Sequence, residues 1–286
     1  MENKNVIIIG AGPAGISTAL YTAGGNIDTT VISLDGGSLW KTKKIENFYG
    51  QEKTLSGEEL YKRGIDGAKN RGVKFVTTEV LSIGYGMNGF FEVITPEKNH
   101  KASSVVLATG VQRKKPNIGN IEAFEGKGVS YCAVCDAMFF KNKRVAVLGN
   151  AKYALHEAET LKNVTSSITL LTNGEETDIT GMEISDKKIN ALFGDTVLRG
   201  VTYEDGSTAE FDGLFIALGT AGSADLAKKA GILTENGNIV TDENGATNIP
   251  GIYAVGDCTG GILQISKAVY DGTKAGLSVI KYLKGK

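Results

Sequence analysis

The chain has 286 residues, 41% of them hydrophobic and 22% charged, which is enough to bury two domain cores. Its 31 basic and 32 acidic residues leave a net charge of -1, so no global field gathers nucleic acid or an anionic membrane, and neither is expected as a partner. Three cysteines are too few for a secreted disulfide scaffold, and two of them stand as Cys132-Ala-Val-Cys135, a spacing associated with redox or metal chemistry.

From Val6 to Ile27 no residue is charged, a length that suggests a membrane helix or a leader. The β-branched run Val6-Ile-Ile-Ile9 followed by Gly10-Ala-Gly12-Pro13-Ala14-Gly15 would interrupt such a helix, so the expected setting is cytoplasmic, with reduced thiols. The pattern instead predicts a strand over 6–9, a glycine turn, a helix over about 14–23 and a strand over 27–34, which together make one βαβ unit. Residues 74–110 read as a β-meander that ends in Ala108-Thr109-Gly110.

The second half repeats the first. Val145-Ala-Val-Leu-Gly149 mirrors Val6 to Gly10, and Leu214-Phe-Ile-Ala-Leu-Gly219 mirrors Val105 to Gly110. The paired glycines lie 100 residues apart in the first copy and 70 in the second, so the second copy is about 30 residues shorter. A strand over 251–256 and an amphipathic helix over about 265–283 would complete the first copy. The expected fold class is α/β: two doubly wound Rossmann-like domains, the first discontinuous (1–112 plus 244–286) and the second spanning 113–243.

Gly10-x-Gly12-x-x-Gly15 lies between a strand and a helix, the context that a dinucleotide fingerprint requires. Gly10 permits the tight turn, Gly12 lets backbone approach a pyrophosphate, and Gly15 allows the helix to pack closely on the strand. Asp35, about 20 residues after Gly15, is placed either to bind a ribose hydroxyl or to serve as a turn aspartate. The Cys132/Cys135 pair reads as a dithiol that cycles to a disulfide, with no metal: Cys258, His100 and His156 form no second ligand pair for a structural zinc. Cys258 reads as a small buried hydrophobe, and the two histidines as surface residues.

Five stretches, in order and spacing, resemble the low-molecular-weight thioredoxin reductases: Gly10 to Gly15; Gly36-Gly37-Ser-Leu39 through Glu46-Asn47-Phe48; Ala108-Thr109-Gly110; Gly128-Val-Ser-Tyr-Cys132-Ala-Val-Cys135-Asp136; and Gly256-Asp257-Cys258. The resemblance implies FAD in the first domain, held by Gly10, Gly12, Pro13, Ala14, Gly15, Asp35, Gly37, Leu39, Asn47, Ala108, Thr109, Gly110, Gly256 and Asp257, with Gln264 reaching the ring. It also implies that Cys135 faces the flavin, Cys132 attacks the disulfide of thioredoxin, Asp136 manages protons, and the protein is a homodimer.

The second glycine motif departs from the family. Gly149 is followed by Asn150, Ala151, Lys152, Tyr153 and Ala154, so side chains stand where backbone should approach pyrophosphate. After the next strand, Glu175, Glu176 and Asp178 replace the basic residues expected to face the 2'-phosphate of NADPH. The sequence thus resembles the ferredoxin-dependent flavin thioredoxin reductases, which do not use pyridine nucleotide. Alternatives left open are an NADPH-dependent reductase with an atypical nucleotide site, a diflavin-linked disulfide oxidoreductase and a non-catalytic flavin redox sensor. An acidic ferredoxin would dock on Lys41, Lys43 and Lys44 or on Lys141, Lys143 and Arg144, although either cluster can equally be a solvated face.

Overall fold

The structure, a computed structural model, describes residues 4–40, 42–86, 89–110, 116–131, 133–219 and 222–285, with the side chains at 134 and 135 left aside. Cys132, the Cys135 side chain and Lys41 lie outside this description.

The first β-branched run forms β1 (Asn5–Ile9), buried from Val6 onward. Gly12 ends the turn, Pro13 occupies the first helical position where its missing N–H costs nothing, and α1 (Pro13–Gly24) leads into β2 (Asp28–Ser33). After the short α2 (Gly37–Trp40), a reciprocal capping box between Ser56 and Glu59 starts α3 (Gly57–Lys69). Next come β3 (Lys74–Thr77), β4 (Ser82–Tyr85), β5 (Phe91–Ile94), β6 (Asn99–Ala102) and β7 (Ser104–Leu107). Among the described residues of 74–110, β4, β5 and β6 form an antiparallel meander. The expected meander over 74–110 is therefore too long, because β3 pairs in parallel with β2, and β7 with β1. All four residues of β7 are buried, the mark of a strand covered on both faces.

The second half contributes β8 (Val129–Ser130), α4 (Ala133–Asp136), β9 (Val145–Leu148), α5 (Lys152–Lys162), β10 (Ile168–Leu171) and β11 (Glu183–Ser185). An antiparallel set follows, β12 (Ile189–Gly194), β13 (Leu198–Tyr203) and β14 (Thr208–Glu210), and then β15 (Gly213–Ile216). The parallel sheet runs β11-β10-β9-β15-β8, and its three central strands are buried at every position. Such near-continuous apolar runs suit strands flanked on both faces.

The chain then returns through α6 (Ser223–Lys229), the hairpin β16 (Thr234–Glu235) and β17 (Asn238–Ile239), β18 (Ile252–Ala254), a 3-10 turn over Gly256–Thr259 and α7 (Ile265–Lys284). β18 joins the first sheet, whose order is β18-β7-β1-β2-β3. Val6, Ile8, Val31, Val106, Val255 and Val279 meet in the core of that unit. The two units are Met1–Gln112 with Gly222–Lys286, and Arg113–Ala221. Residues 222–243, assigned to the second domain from sequence, pack with the first. The Ser223 hydroxyl donates to the Gly110 carbonyl at 2.5 Å, and the Lys229 ammonium donates to the Leu81 carbonyl at 3.0 Å. Among the described residues no helix is long and apolar enough to cross a membrane.

Candidate functional site

The three fingerprint glycines do three different things. At Gly10, φ is +110° and a Cβ would lie 2.3 Å from the Ala108 carbonyl oxygen, so the turn and the neighbouring strand end both demand glycine. At Gly15 a Cβ would lie 2.0 Å from the Gly10 carbonyl oxygen. Gly12 has ordinary extended backbone, and a Cβ there would meet nothing within 4 Å. Neither conformation nor internal packing requires glycine at 12, which leaves room for a ligand as the physical reason. No side chain caps α1 and no acid stands in its first turn, so the helix start is open to an anion.

The C-terminal segment closes this cradle. Gly256 has φ +77°, and a Cβ on it would lie 2.8 Å from the Ala14 Cβ, so the turn carrying Asp257 sits against the start of α1. Burial pushes the Asp257 carboxyl above its usual range, with Asp271 adding to the effect and the Lys267 ammonium opposing it. Lys267 donates to the carbonyls of Gly256 at 2.9 Å and Gly260 at 2.7 Å and to the Thr259 hydroxyl at 3.2 Å, and it pairs with Asp271 at 3.0 Å. The Asn47 amide donates to the Gln264 side-chain oxygen at 3.3 Å, bringing together two more residues picked out from sequence. The Thr109 hydroxyl donates to the Ser223 hydroxyl at 2.7 Å, and Gly110 takes φ +68°. Gly37 (φ +58°) and the half-buried Leu39 lie in α2, where one Asp35 oxygen accepts the Gly37 N–H at 2.8 Å. Asp35 is therefore exposed and engaged as a turn residue. A vacant side-chain position at Gly12, an uncapped helix start and a half-buried acid beside it fit a dinucleotide such as FAD.

Around the cysteine motif, two carboxylates are held in place. The Ser130 hydroxyl donates to Asp136 Oδ2 at 2.7 Å. The backbone N–H of Ala133 donates to Glu157 Oε2 at 2.8 Å, and Glu157 is only 1% exposed. Glu157, Lys267 and Ser223 lie outside the sequence motifs, and Ser130 lies within one without a role assigned from sequence. Glu157 did leave a signal there: it is the only charged residue in the buried α5 stripe of Tyr153, Ala154, Ala158 and Leu161.

The second glycine turn has the same skeleton with a different filling. A Cβ on Gly149 would lie 2.2 Å from the Ala217 carbonyl oxygen, as Gly10 approaches Ala108 in the first unit. Ala151 is the N-cap of α5, so a methyl group occupies the position that Gly12 leaves open at α1. The Asn150 amide donates to the Glu176 carbonyl at 3.0 Å, and the Thr177 hydroxyl donates to the Asn150 carbonyl at 2.8 Å. These bonds tie the acidic 173–178 loop to the turn. Of the basic residues considered for docking, Lys43, Lys44, Lys141 and Lys143 are exposed, while Arg144 pairs with Glu210 at 3.0 Å and Asp212 at 3.7 Å. Cys258 is buried, with Sγ directed at the Val255 carbonyl at 3.2 Å, and burial pushes its thiol up to about 12. His100, expected at the surface, is half-buried, and that burial holds its pKa down.

The family model "Pyridine nucleotide-disulphide oxidoreductase" matches residues 4–272. The chain is 34% identical to a thioredoxin reductase of Listeria innocua, over 98% of this chain and 94% of that one. It superposes on an atypical thioredoxin reductase from Desulfovibrio vulgaris Hildenborough with a TM-score of 0.94 at 40% identity, covering 99% of both chains. With a ferredoxin-flavin thioredoxin reductase from Clostridium acetobutylicum the TM-score is 0.74 at 30% identity, covering 99% of this chain and 98% of that one. A flavin-type cradle, a CxxC motif flanked by two anchored carboxylates and likeness along the whole chain place this protein in the low-molecular-weight thioredoxin reductase family of pyridine nucleotide-disulphide oxidoreductases.

Proposed function

We propose that the chain is a disulfide reductase that carries electrons from a low-potential one-electron donor of the ferredoxin type, through FAD and the Cys132/Cys135 dithiol, to thioredoxin. The observation that carries the donor reading is the filled second glycine turn: the Ala151 methyl at the N-cap and the 173–178 loop tied to Asn150. Both oppose a nucleotide diphosphate, the first by volume and the second by setting Glu175, Glu176 and Asp178 beside it. The thioredoxin reading rests on family membership and on the named relatives.

Bound at the first turn, FAD would supply the step from single electrons to the electron pair that a disulfide takes up. Gly10, Gly12, Gly15 and the open start of α1 would receive its diphosphate, and Asp257, on its turn against α1, its ribityl hydroxyls. Cys132 attacks the substrate disulfide, Cys135 resolves the mixed disulfide, and Asp136, held by Ser130, exchanges protons with the sulfurs. The active form is a homodimer.

Anaerobic titration of the purified holoprotein with NADPH, NADH and reduced ferredoxin, followed at the flavin absorbance, tests the donor. Reduction by ferredoxin alone is expected. Rapid, saturable bleaching by NADPH would make this an ordinary nucleotide-dependent reductase, and bleaching without subsequent reduction of thioredoxin would favour a redox sensor.

A further inference from the structure

Loop 45–55 of the first unit is closed at its base by reciprocal backbone bonds between Ile45 and Leu55, at 2.8 and 3.3 Å. Within it the Gln51 amide donates to the Ile45 carbonyl at 2.5 Å and the Thr54 hydroxyl to a Glu46 oxygen at 3.2 Å, so the loop has a defined shape. Ile45 and Leu55 are buried, whereas Tyr49 at the tip is 97% exposed. The bond from Asn47 to Gln264 fastens this tip to the segment where Ile262 and Leu263 are 72% and 59% exposed. Single exposed apolar residues are ordinary, but three on two loops tied together make a patch of the kind that marks a contact surface.

Charge indicates what the contact is with. Residues 41–55 hold four lysines and two glutamates, a local charge of +2 in a chain whose net charge is -1. Lys43, Lys44 and Lys53 are exposed, and among the described residues none of the three pairs with an acid. The basic cluster of the second unit is partly engaged already, since Arg144 pairs with Glu210 and Asp212. Asn47 and Gln264, which join the two loops, are also residues that the family resemblance gives to the flavin. We propose that Tyr49, Ile262 and Leu263, rimmed by Lys43, Lys44 and Lys53, form the docking surface for an acidic iron–sulfur electron donor. This rests on the ferredoxin-type donor proposed above.

Electron-transfer partners meet through small, short-lived interfaces, so a few apolar residues within a basic rim suffice: the rim steers the encounter and the apolar centre holds it. Two donors dock in turn, and each loses one electron. The electron pair, with two protons from solvent, ends on the two sulfurs of the substrate disulfide, which becomes a dithiol. A second copy of this chain fits the surface less well, because a two-fold contact would bring the same lysines together.

The test uses the flavin-loaded holoprotein and two double variants, Lys43→Glu/Lys44→Glu and Tyr49→Ser/Ile262→Ser, with flavin content and sedimentation measured first. Flavin bleaching by a reduced acidic ferredoxin is followed by stopped flow, with dithionite, too small to need docking, as the parallel reductant. The charge reversal should slow bleaching by ferredoxin about tenfold at low salt and flatten its salt dependence. The serine pair should slow it about fivefold at every salt concentration. Dithionite should bleach all three proteins alike. If the serine pair loses flavin, the charge reversal, on a solvated stretch, decides by itself. Bleaching by ferredoxin at the wild-type rate in a flavin-loaded variant overturns the surface and leaves the donor reading in place. A wild-type protein that ferredoxin does not bleach overturns the donor reading, and the surface with it. Variants that sediment as monomers where wild type is a dimer would make this a face between copies and overturn the docking role.

Discussion

A Cβ on Gly15 would stand 2.0 Å from the Gly10 carbonyl oxygen, whereas one on Gly12, three residues earlier, would meet nothing within 4 Å. The motif therefore separates into a packing glycine and a ligand glycine. Gly15→Ala should destabilise the apoprotein by about 1–3 kcal/mol, because backbone must move to admit the methyl. Gly12→Ala should change apoprotein stability by less than about 1 kcal/mol while weakening FAD binding by about tenfold or more, as judged from melting curves and flavin fluorescence titration. Equal loss of stability in both variants would show that the glycines share one role.

Asp257 makes stability depend on pH with the sign opposite to that of a salt-bridged acid. Its folded-state pKa is raised by burial, so its contribution is favourable while it is protonated and is lost as pH rises from the ordinary carboxylate range through the raised value. Asp257→Asn should leave apoprotein stability nearly unchanged at about pH 4 and increase it at about pH 7, while FAD binding weakens. Chemical denaturation at the two pH values measures the difference.

Lys267 ties three oxygens of the Gly256–Gly260 turn and pairs with Asp271. Lys267→Met removes the ammonium and leaves Asp271 half-buried without that partner, at a cost of about 1–3 kcal/mol. Flavin retention on desalting should fall with it. A variant as stable as the parent, with full flavin, would show that the turn holds its shape without this cation.

Cys258 should remain unmodified when the folded protein is treated with a maleimide or iodoacetamide near neutral pH, since burial holds its thiol at about 12. In denaturant it should react fully. Mass spectrometry of the two samples distinguishes this inert thiol from a third redox cysteine, which would be labelled in the native state.

What could be seen in the linear sequence is what short-range chemistry decides. The β-branched run at 6–9 followed by Gly10, Gly12 and Gly15 names a strand, a tight turn and a helix within a few residues of one another, and Ala151 and Asn150 show in the same way that the second turn is filled. The polar residues that fix the sites depended on the tertiary structure, because their partners are far away in sequence. Glu157 meets Ala133 across 24 residues, Thr177 reaches Asn150 across 27, and Ser223 reaches Gly110 across 113. The same holds for strands. β3 and β7 carry the local character of the meander between them, and only β2 and β1, already in place beside them, recruit their hydrogen bonds into the parallel sheet. Backbone preference is set by near neighbours, whereas strand pairing and the burial of a carboxylate are settled by whatever the rest of the fold brings alongside.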